Sequence, residues 1–133
     1  MNVLTQLILV SLGGALGASA RFGISQFATH WFKGTFPLGT LIANVVGCFL
    51  IGMMVGSGRG EQSESLRLGF GVGFLGALTT FSTFSAETHR HVTTNGEMMT
   101  GLLNIGANVV LGLLAVFVGV IVGKKFFGTL VAE

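Results

Sequence analysis

Five hydroxyl-bearing side chains surround two phenylalanines within one short run of an otherwise very apolar chain. The run comprises Thr79, Thr80, Phe81, Ser82, Thr83, Phe84 and Ser85. Hydroxyl side chains form local hydrogen bonds that compete with helical ones, and the nearby Gly76 costs about 1 kcal/mol relative to alanine inside a helix. The run therefore predicts a helix break. In a bilayer, the backbone groups that a break releases must be buried by protein or contact water or an ion. We therefore expect a binding site here.

Polar side chains recur at four-residue spacing in two other apolar stretches. Thr40 and Asn44 share one helical face, and Asn104 and Asn108 share another. An asparagine has two amide donors and an acceptor oxygen, and hydrocarbon satisfies none of them. Two interpretations stay open: hydrogen bonds that hold helices together, or amide donors along an anion path. In either case the polar stripes of three segments should meet in one narrow track.

Aromatic and charged residues near this track have both structural and functional interpretations. Two phenylalanines at helical spacing usually pack in a core, but the positive ring edges of Phe81 and Phe84 could also favour a small anion. Arg21 lies near the end of its apolar stretch, where it is either an interfacial anchor or part of an electropositive vestibule. The charged cluster after the phenylalanines is interpreted as an aqueous helix end and consists of Glu87, His89, Arg90 and His91. No histidine is expected to bind a metal.

The composition places these residues in membrane helices. Half of the 133 residues are hydrophobic, only 9% are charged, and the mean hydropathy is +0.80, which is too apolar for a soluble domain of this size. Four apolar stretches, at about residues 4–28, 37–56, 66–89 and 97–123, approach the roughly 20 residues that span a bilayer. The sequence therefore predicts an all-α integral membrane protein with one four-helix domain, residues 1–133.

Glycines at four-residue spacing predict that these helices approach one another closely. Such pairs occur in all four stretches, with Gly13 and Gly17 in the first and Gly52 and Gly56 in the second. The net charge of +2 includes no basic run, so no nucleic-acid partner is expected. Cys48 is the only cysteine, which excludes an intrachain disulfide and Cys/His metal spacings.

Lys and Arg residues give only a weak signal for orientation in the membrane. If both termini share one side, that side has four basic residues in or near its loops and the other has two, or three with Arg21. Both orientations could therefore be populated. An antiparallel homodimer with a two-fold isologous interface then becomes possible, and the small size of a four-helix body also favours a dimer.

The residues resemble a known family, the small bacterial fluoride channels called Fluc or CrcB. The likeness covers essentially all four stretches and is most specific in the third. The matching positions are Gly17, Ala18, Arg21, Gly39, Thr40, Asn44, Gly47, the run 73–87, Leu102, Leu103, Asn104 and Asn108.

The resemblance implies a fluoride-selective channel that exports fluoride passively across the inner (plasma) membrane of a bacterium. It implies a dual-topology, antiparallel homodimer with two pores and a broken third helix. It also implies a structural sodium ion (Na⁺) on the dimer axis, held by the backbone carbonyls of Gly76 and Thr79 from both subunits. Oxygen ligands of this kind suit a hard cation.

The resemblance also assigns an anion pathway of amide, aromatic and hydroxyl side chains. These are Asn44, Phe81 and Phe84, the hydroxyl track of Ser82 and Thr83, and the further polar residues Thr40 and Asn108. Arg21 would lie at the vestibule. The sequence departs from the family at Ala77, where many members have a second glycine, and at Asn108, where some have serine. The first change should stiffen the break slightly without removing a carbonyl.

Other functions fit the sequence less well. A small four-helix proton-coupled exporter needs a titratable carboxylate in mid-membrane, whereas Glu87 and Glu97 are expected at helix ends. A non-transporting membrane assembly subunit would explain the glycine faces but not the converging asparagines and hydroxyls. An enzyme is not expected, because no nucleophile–base pair or pair of catalytic carboxylates is visible.

Overall fold

The computed structural model describes residues 1–128, with the backbone alone at Gln62. It contains four long helices that have the length and hydropathy to cross a membrane: α1 (Val3–Trp31), α2 (Leu38–Ser57), α3 (Glu64–Thr94) and α4 (Met98–Phe127). The predicted all-helical architecture with four spanning helices is confirmed. Residues 129–133 of the predicted domain lie outside the described residues.

The helices extend beyond the predicted apolar stretches. α1 continues to Trp31 and α3 to Thr94, past the predicted ends at 28 and 89. Hydropathy marks only the part that crosses hydrocarbon, whereas a helix keeps its backbone hydrogen bonds in the headgroup region and in water. Local signals set the actual ends. The Asn2 side chain caps α1 by accepting a hydrogen bond from the Thr5 amide at 2.9 Å, and Gly58 ends α2 with a φ of 68°.

Four crossings put the start of α1 and the end of α4 at the same end of the bundle. This end also holds the α2–α3 connector with its short helix Arg59–Gln62, and the Met1 amino group contacts Glu64 Oε2 there at 3.3 Å. We call it the Arg59 end. The opposite end, with the α1–α2 and α3–α4 connectors, is called the Pro37 end.

Glycines allow α1 to pack on α3 and α2 on α4, as their spacing predicts. A Cβ atom built at Gly13 would overlap the carbonyl oxygen of Gly69, and one at Gly119 would overlap that of Phe49. The backbones therefore touch at these crossings, and no larger residue fits without separating the helices.

The backbone of α3 changes conformation several times. In chain order it consists of α-helical Glu64–Leu66, π-helical Arg67–Leu75, α-helical Gly76–Leu78, extended Thr79 and Thr80, α-helical Phe81–His89 and π-helical Arg90–Thr94. We call residues 64–78 α3a, Thr79 and Thr80 the extended pair, and residues 81–94 α3b. Buried Leu75 and Leu78 pack with Ala43 of α2, which fixes α3a immediately before the extended pair.

Candidate functional site

A groove of about 440 Å³ opens on one side of the bundle, where α2, both halves of α3 and α4 meet. It brings together most of the residues that the sequence marked as candidates. Its lining includes Asn44, Cys48, Gly76, Thr79, Thr80, Phe81, Phe84 and Asn108. The remaining candidates, Thr40, Ser82, Thr83 and Arg21, do not line this groove in the described part of the chain.

Asn44 binds the backbone of the extended pair at two points. Its Oδ1 accepts a hydrogen bond from the Thr80 amide at 2.8 Å, and its Nδ2 donates to the Thr80 carbonyl at 3.2 Å. The carboxamide thus pairs with Thr80 much as a neighbouring strand would. We call this arrangement the Asn44–Thr80 clasp. Because Thr80 is buried, the clasp satisfies polar groups that would otherwise be costly at this depth.

The same hydrogen bonds release two backbone carbonyls of α3 that line the groove. In a continuous helix the Gly76 carbonyl would accept from the Thr80 amide, but that amide donates to Asn44. The Thr79 carbonyl would accept from the Thr83 amide, but that amide donates to Thr80 Oγ1 at 3.1 Å. Gly76 and Thr79 therefore both lose their usual helical donors, and both line the groove.

Thr80 also starts α3b. Its hydroxyl accepts from the Thr83 amide as an N-cap, donates to Thr83 Oγ1 at 3.1 Å, and lies 3.3 Å from Ser82 Oγ. A helix N-terminus carries partial positive charge, and Phe81, the first residue of α3b, lines the groove. Ser82 and Thr83 are exposed residues whose hydroxyls belong to this capping cluster.

A directional chain of hydrogen bonds leads away from Asn44 into α4 and back to α3b. Asn44 Nδ2 donates to Asn108 Oδ1 at 2.8 Å, and Asn108 Nδ2 donates to Asn104 Oδ1 at 2.9 Å. Asn104 is fully buried and donates to Thr88 Oγ1, which donates to the Phe84 carbonyl at 2.8 Å. Asn44 of α2 therefore meets the asparagine pair of α4, as the predicted convergence of the polar stripes requires.

The two phenylalanines occupy different environments. Their ring centroids lie 5.5 Å apart with the planes tilted by 54°. Phe84 is 9% exposed, whereas Phe81 is 79% exposed. Both rings line the groove, and the rest of the chain leaves most of Phe81 uncovered.

Thr40 and the end of α3 differ from the sequence interpretation. The Thr40 hydroxyl donates to Glu87 Oε1 at 2.8 Å instead of facing the groove with Asn44. The assignment of Glu87 to an aqueous helix end is wrong, because it is half-buried and its Oε2 has no solvent contact and no hydrogen-bond partner among residues 1–128. His91 is likewise buried, with Nδ1 2.7 Å from Glu97 Oε2. His91 is buried because α3b continues past residue 89 and packs on α4, whereas Glu87 lies beside Thr40 of α2.

Three residues that organise the site had no role assigned from the sequence. The capping role of Thr80 could have been predicted, since a threonine before a helix start is a preferred N-cap. Asn104 showed the correct spacing but had no assigned role. Thr88 gave no signal, because its part depends on how α3b packs against α4. Arg21, the vestibule candidate, is half-buried on α1 and away from the groove lining.

The family model described as CrcB-like protein, Camphor Resistance (CrcB), matches residues 8–120. The matched segment contains every groove-lining residue. The chain belongs to the CrcB-like family.

Relatives within the CrcB-like family are similar over nearly their whole length. A protein of Hydrogenovibrio crunogenus named fluoride-specific ion channel FluC is 48% identical over 124 residues, covering 92% of this chain and 93% of the relative. Proteins of the same name from Dehalococcoides mccartyi and Clostridium perfringens are 45% and 46% identical over 121 residues. These cover 90% of this chain and 92% and 94% of the relatives. Together with the four membrane-length helices, this similarity makes the chain a multi-pass membrane protein.

Proposed function

We propose that this chain is the subunit of a fluoride-selective channel, which lets fluoride leave the cytoplasm passively across a bacterial inner membrane. Relatives covering 90% or more of the chain carry the name fluoride-specific ion channel. The observation that carries the proposal is the groove, where an amide network, a helix N-terminus and two phenylalanine rings converge. Its lining, as far as residues 1–128 form it, contains no lysine or arginine.

Such a lining suits conduction of a strongly hydrated anion. The idealised cost of moving even a carboxylate-sized ion into a medium of low dielectric constant is of order 20 kcal/mol, so hydration must be replaced step by step. Amide and hydroxyl donors and aromatic ring edges can do this through weak sites, each of which releases the ion to the next. A lysine or arginine in the groove would instead favour retention.

We further propose that two chains assemble as an antiparallel, dual-topology homodimer with two pores. Exposed Phe81 and Gly76 lie on the open side of the groove, where a second copy would complete the lining. The weak charge bias between the two ends of the bundle is compatible with insertion in both orientations. The basic residues are Arg59, Arg67, Lys124 and Lys125 at the Arg59 end, and Lys33 and Arg90 at the Pro37 end.

A structural sodium ion at the dimer axis fits the donor set of α3. The carbonyls of Gly76 and Thr79 have lost their helical donors to the Asn44–Thr80 clasp and the Thr80 cap. Two such carbonyls from each subunit would supply uncharged oxygen ligands, which suit a hard monovalent cation better than nitrogen or sulfur. When bound, the ion would neutralise these carbonyl dipoles and join the two extended pairs.

The test is fluoride efflux from liposomes that contain the purified protein and potassium fluoride. Valinomycin starts the efflux by carrying potassium as the compensating charge, and a fluoride-selective electrode records it. We expect rapid fluoride efflux, while chloride stays at the rate of protein-free liposomes. Equal chloride efflux would overturn selectivity, and no efflux of either ion would favour the assembly-subunit alternative.

Half-buried Glu87 keeps proton-coupled export as a second candidate. Its hydrogen bond to Thr40 and its unpaired Oε2 are more typical of an intramembrane carboxylate than of a solvated helix end. With valinomycin present, a channel moves fluoride without moving protons, whereas a proton-coupled exporter changes the internal pH in proportion to the fluoride it moves. A change in internal pH that accompanies fluoride efflux and is abolished in Glu87→Gln would therefore establish the second candidate.

A further inference from the structure

A second cavity, of about 160 Å³, lies at the Arg59 end between α2, α3a and the last turn of α4. It shares no lining residue with the groove in the described part of the chain. Most of its wall is apolar, and this part consists of Leu50, Met53, Met54, Leu66, Phe70 and Phe127. Ser57 and Arg59 are the polar lining residues. The cavity thus combines an apolar interior with one cation at the level where helices leave the membrane.

Local hydrogen bonds hold Arg59 at this position. The hydroxyl of buried Ser57 donates to the Met54 carbonyl at 2.8 Å and accepts from the Arg59 amide at 3.3 Å. Gly58 makes the intervening left-handed turn with a φ of 68°. The Arg59 guanidinium carbon then lies 5.1 Å from the centroid of the Phe127 ring, which forms part of the cavity wall. The cation is therefore fixed beside the apolar space.

Arg59 has no carboxylate partner among the residues that the structure describes. The two ion pairs within residues 1–128 join the Met1 amino group to Glu64, and His91 to Glu97. Three further basic residues at the same end are exposed, namely Arg67, Lys124 and Lys125. Glu64 is engaged by the Met1 amino group, so Glu61 is the acidic residue left to balance them in the described part of this end. Among residues 1–128, the cavity therefore opens into a region of excess positive charge.

We propose that this cavity binds an anionic phospholipid of the surrounding membrane. The planar guanidinium of Arg59 would bind the lipid phosphate through two parallel hydrogen bonds, a geometry that lysine does not offer. The upper part of one acyl chain would enter the apolar space beside Met54 and Phe70. Basic pockets between transmembrane helices are known recognition sites for anionic headgroups. The excess of basic residues favours a lipid with net negative charge over a zwitterionic one.

The experiment is a lipid titration of the intact purified protein in detergent, followed by native mass spectrometry. Phosphatidylglycerol and phosphatidylcholine with identical acyl chains are compared, and glycerol phosphate tests the headgroup alone. Hydrogen bonds to a charged phosphate stabilise more than diffuse surface attraction does, so we expect Arg59→Gln to weaken phosphatidylglycerol binding about tenfold or more. Arg67→Gln is the matched control at the same end and should change it by less than about twofold.

The variants distinguish a site from general attraction. Equal weakening in Arg59→Gln and Arg67→Gln would show diffuse charge attraction and overturn the proposal, as would equal affinity for the two lipids. Displacement of phosphatidylglycerol by glycerol phosphate at the same concentration would show a soluble-phosphate site instead. Leu66→Phe fills the cavity, keeps Arg59 and should weaken both lipids. If Leu66→Phe does not fold, the comparison of the two exposed arginines still decides the result.

Discussion

Asn44 uses every polar group of its side chain within one subunit. Both amide hydrogens are donated, to the Thr80 carbonyl and to Asn108 Oδ1, and Oδ1 accepts from the Thr80 amide. An anion can therefore bind this amide only by displacing one partner. The bond to the Thr80 carbonyl, at 3.2 Å, is the longer of the two donated bonds. Such an exchange keeps the anion site weak, which favours throughput over retention.

Asn44→Asp tests this double role. The carboxylate can still accept from the Thr80 amide, but it cannot donate to the Thr80 carbonyl or to Asn108, and it adds negative charge beside the path. We expect fluoride efflux to fall at least about tenfold, since about 1.4 kcal/mol on a barrier is a factor of ten. The lost hydrogen bonds should also destabilise the fold by about 1–3 kcal/mol. Thermal unfolding and liposome efflux measure the two effects.

The matched control is Asn95→Asp, which makes the same chemical change at an exposed position in the α3–α4 connector. Its efflux should equal that of the parent protein. Normal efflux in Asn44→Asp would show that no anion contacts this amide.

Phe81→Ile and Phe84→Ile test the aromatic ring edges. Isoleucine keeps the side chain apolar but removes the positive edge of the ring, so fluoride efflux should fall about tenfold or more for a loss of about 1.4 kcal/mol at the barrier. The smaller isoleucine leaves a partial cavity at buried Phe84, which should cost less than the roughly 3–5 kcal/mol of a Phe→Ala change, so the protein should remain folded. Phe22→Ile, on the exposed surface of α1, is the control. Unchanged conduction in both test variants would remove the ring-edge mechanism.

At the scale of elements, α3 shows what a sequence can and cannot predict. Hydropathy predicted four spanning helices, because each crossing requires a long apolar run. Hydroxyls and Gly76 marked a stretch unfavourable to a helix, and the structure has Thr79 and Thr80 extended within it. The position of Glu87 beside Thr40 could not be predicted, because the two residues are 47 positions apart in sequence and meet only through helix packing.

Glycine contacts on α4 lead to a prediction for helix packing. A Cβ atom at Gly119 would overlap the Phe49 carbonyl, whereas one at Gly106 meets no atom within 4 Å in the single subunit. Gly119→Ala should therefore separate α2 from α4 and cost about 1–3 kcal/mol of stability. Gly106→Ala should leave the unfolding midpoint equal or slightly higher, because alanine is the better helix former. Thermal unfolding in detergent measures both, and equal midpoints would contradict close α2–α4 packing.

At the scale of the whole molecule, the single chain leaves its candidate site half open. Phe81 is 79% exposed beside the groove, and the carbonyls of Gly76 and Thr79 have lost their helical donors at the same opening. One further copy in the opposite orientation would cover the ring and face these carbonyls with an equivalent pair. The proposed dimer and the proposed ion site therefore depend on the same surface.

Removal of sodium tests this joint proposal. If four carbonyls hold the ion, replacing sodium with a larger organic cation at equal ionic strength should lower the dimer fraction and the unfolding midpoint. A ligand present at about 100 times its dissociation constant contributes about 2.7 kcal/mol, so the shift should be readily measurable. Cross-linking of the purified protein measures the dimer fraction, and thermal unfolding measures the unfolding midpoint. A fluoride titration at constant sodium is the control. An identical dimer fraction and unfolding midpoint in both cations would refute the sodium site. Efflux of fluoride without chloride would still support the channel, because conduction and assembly are measured separately.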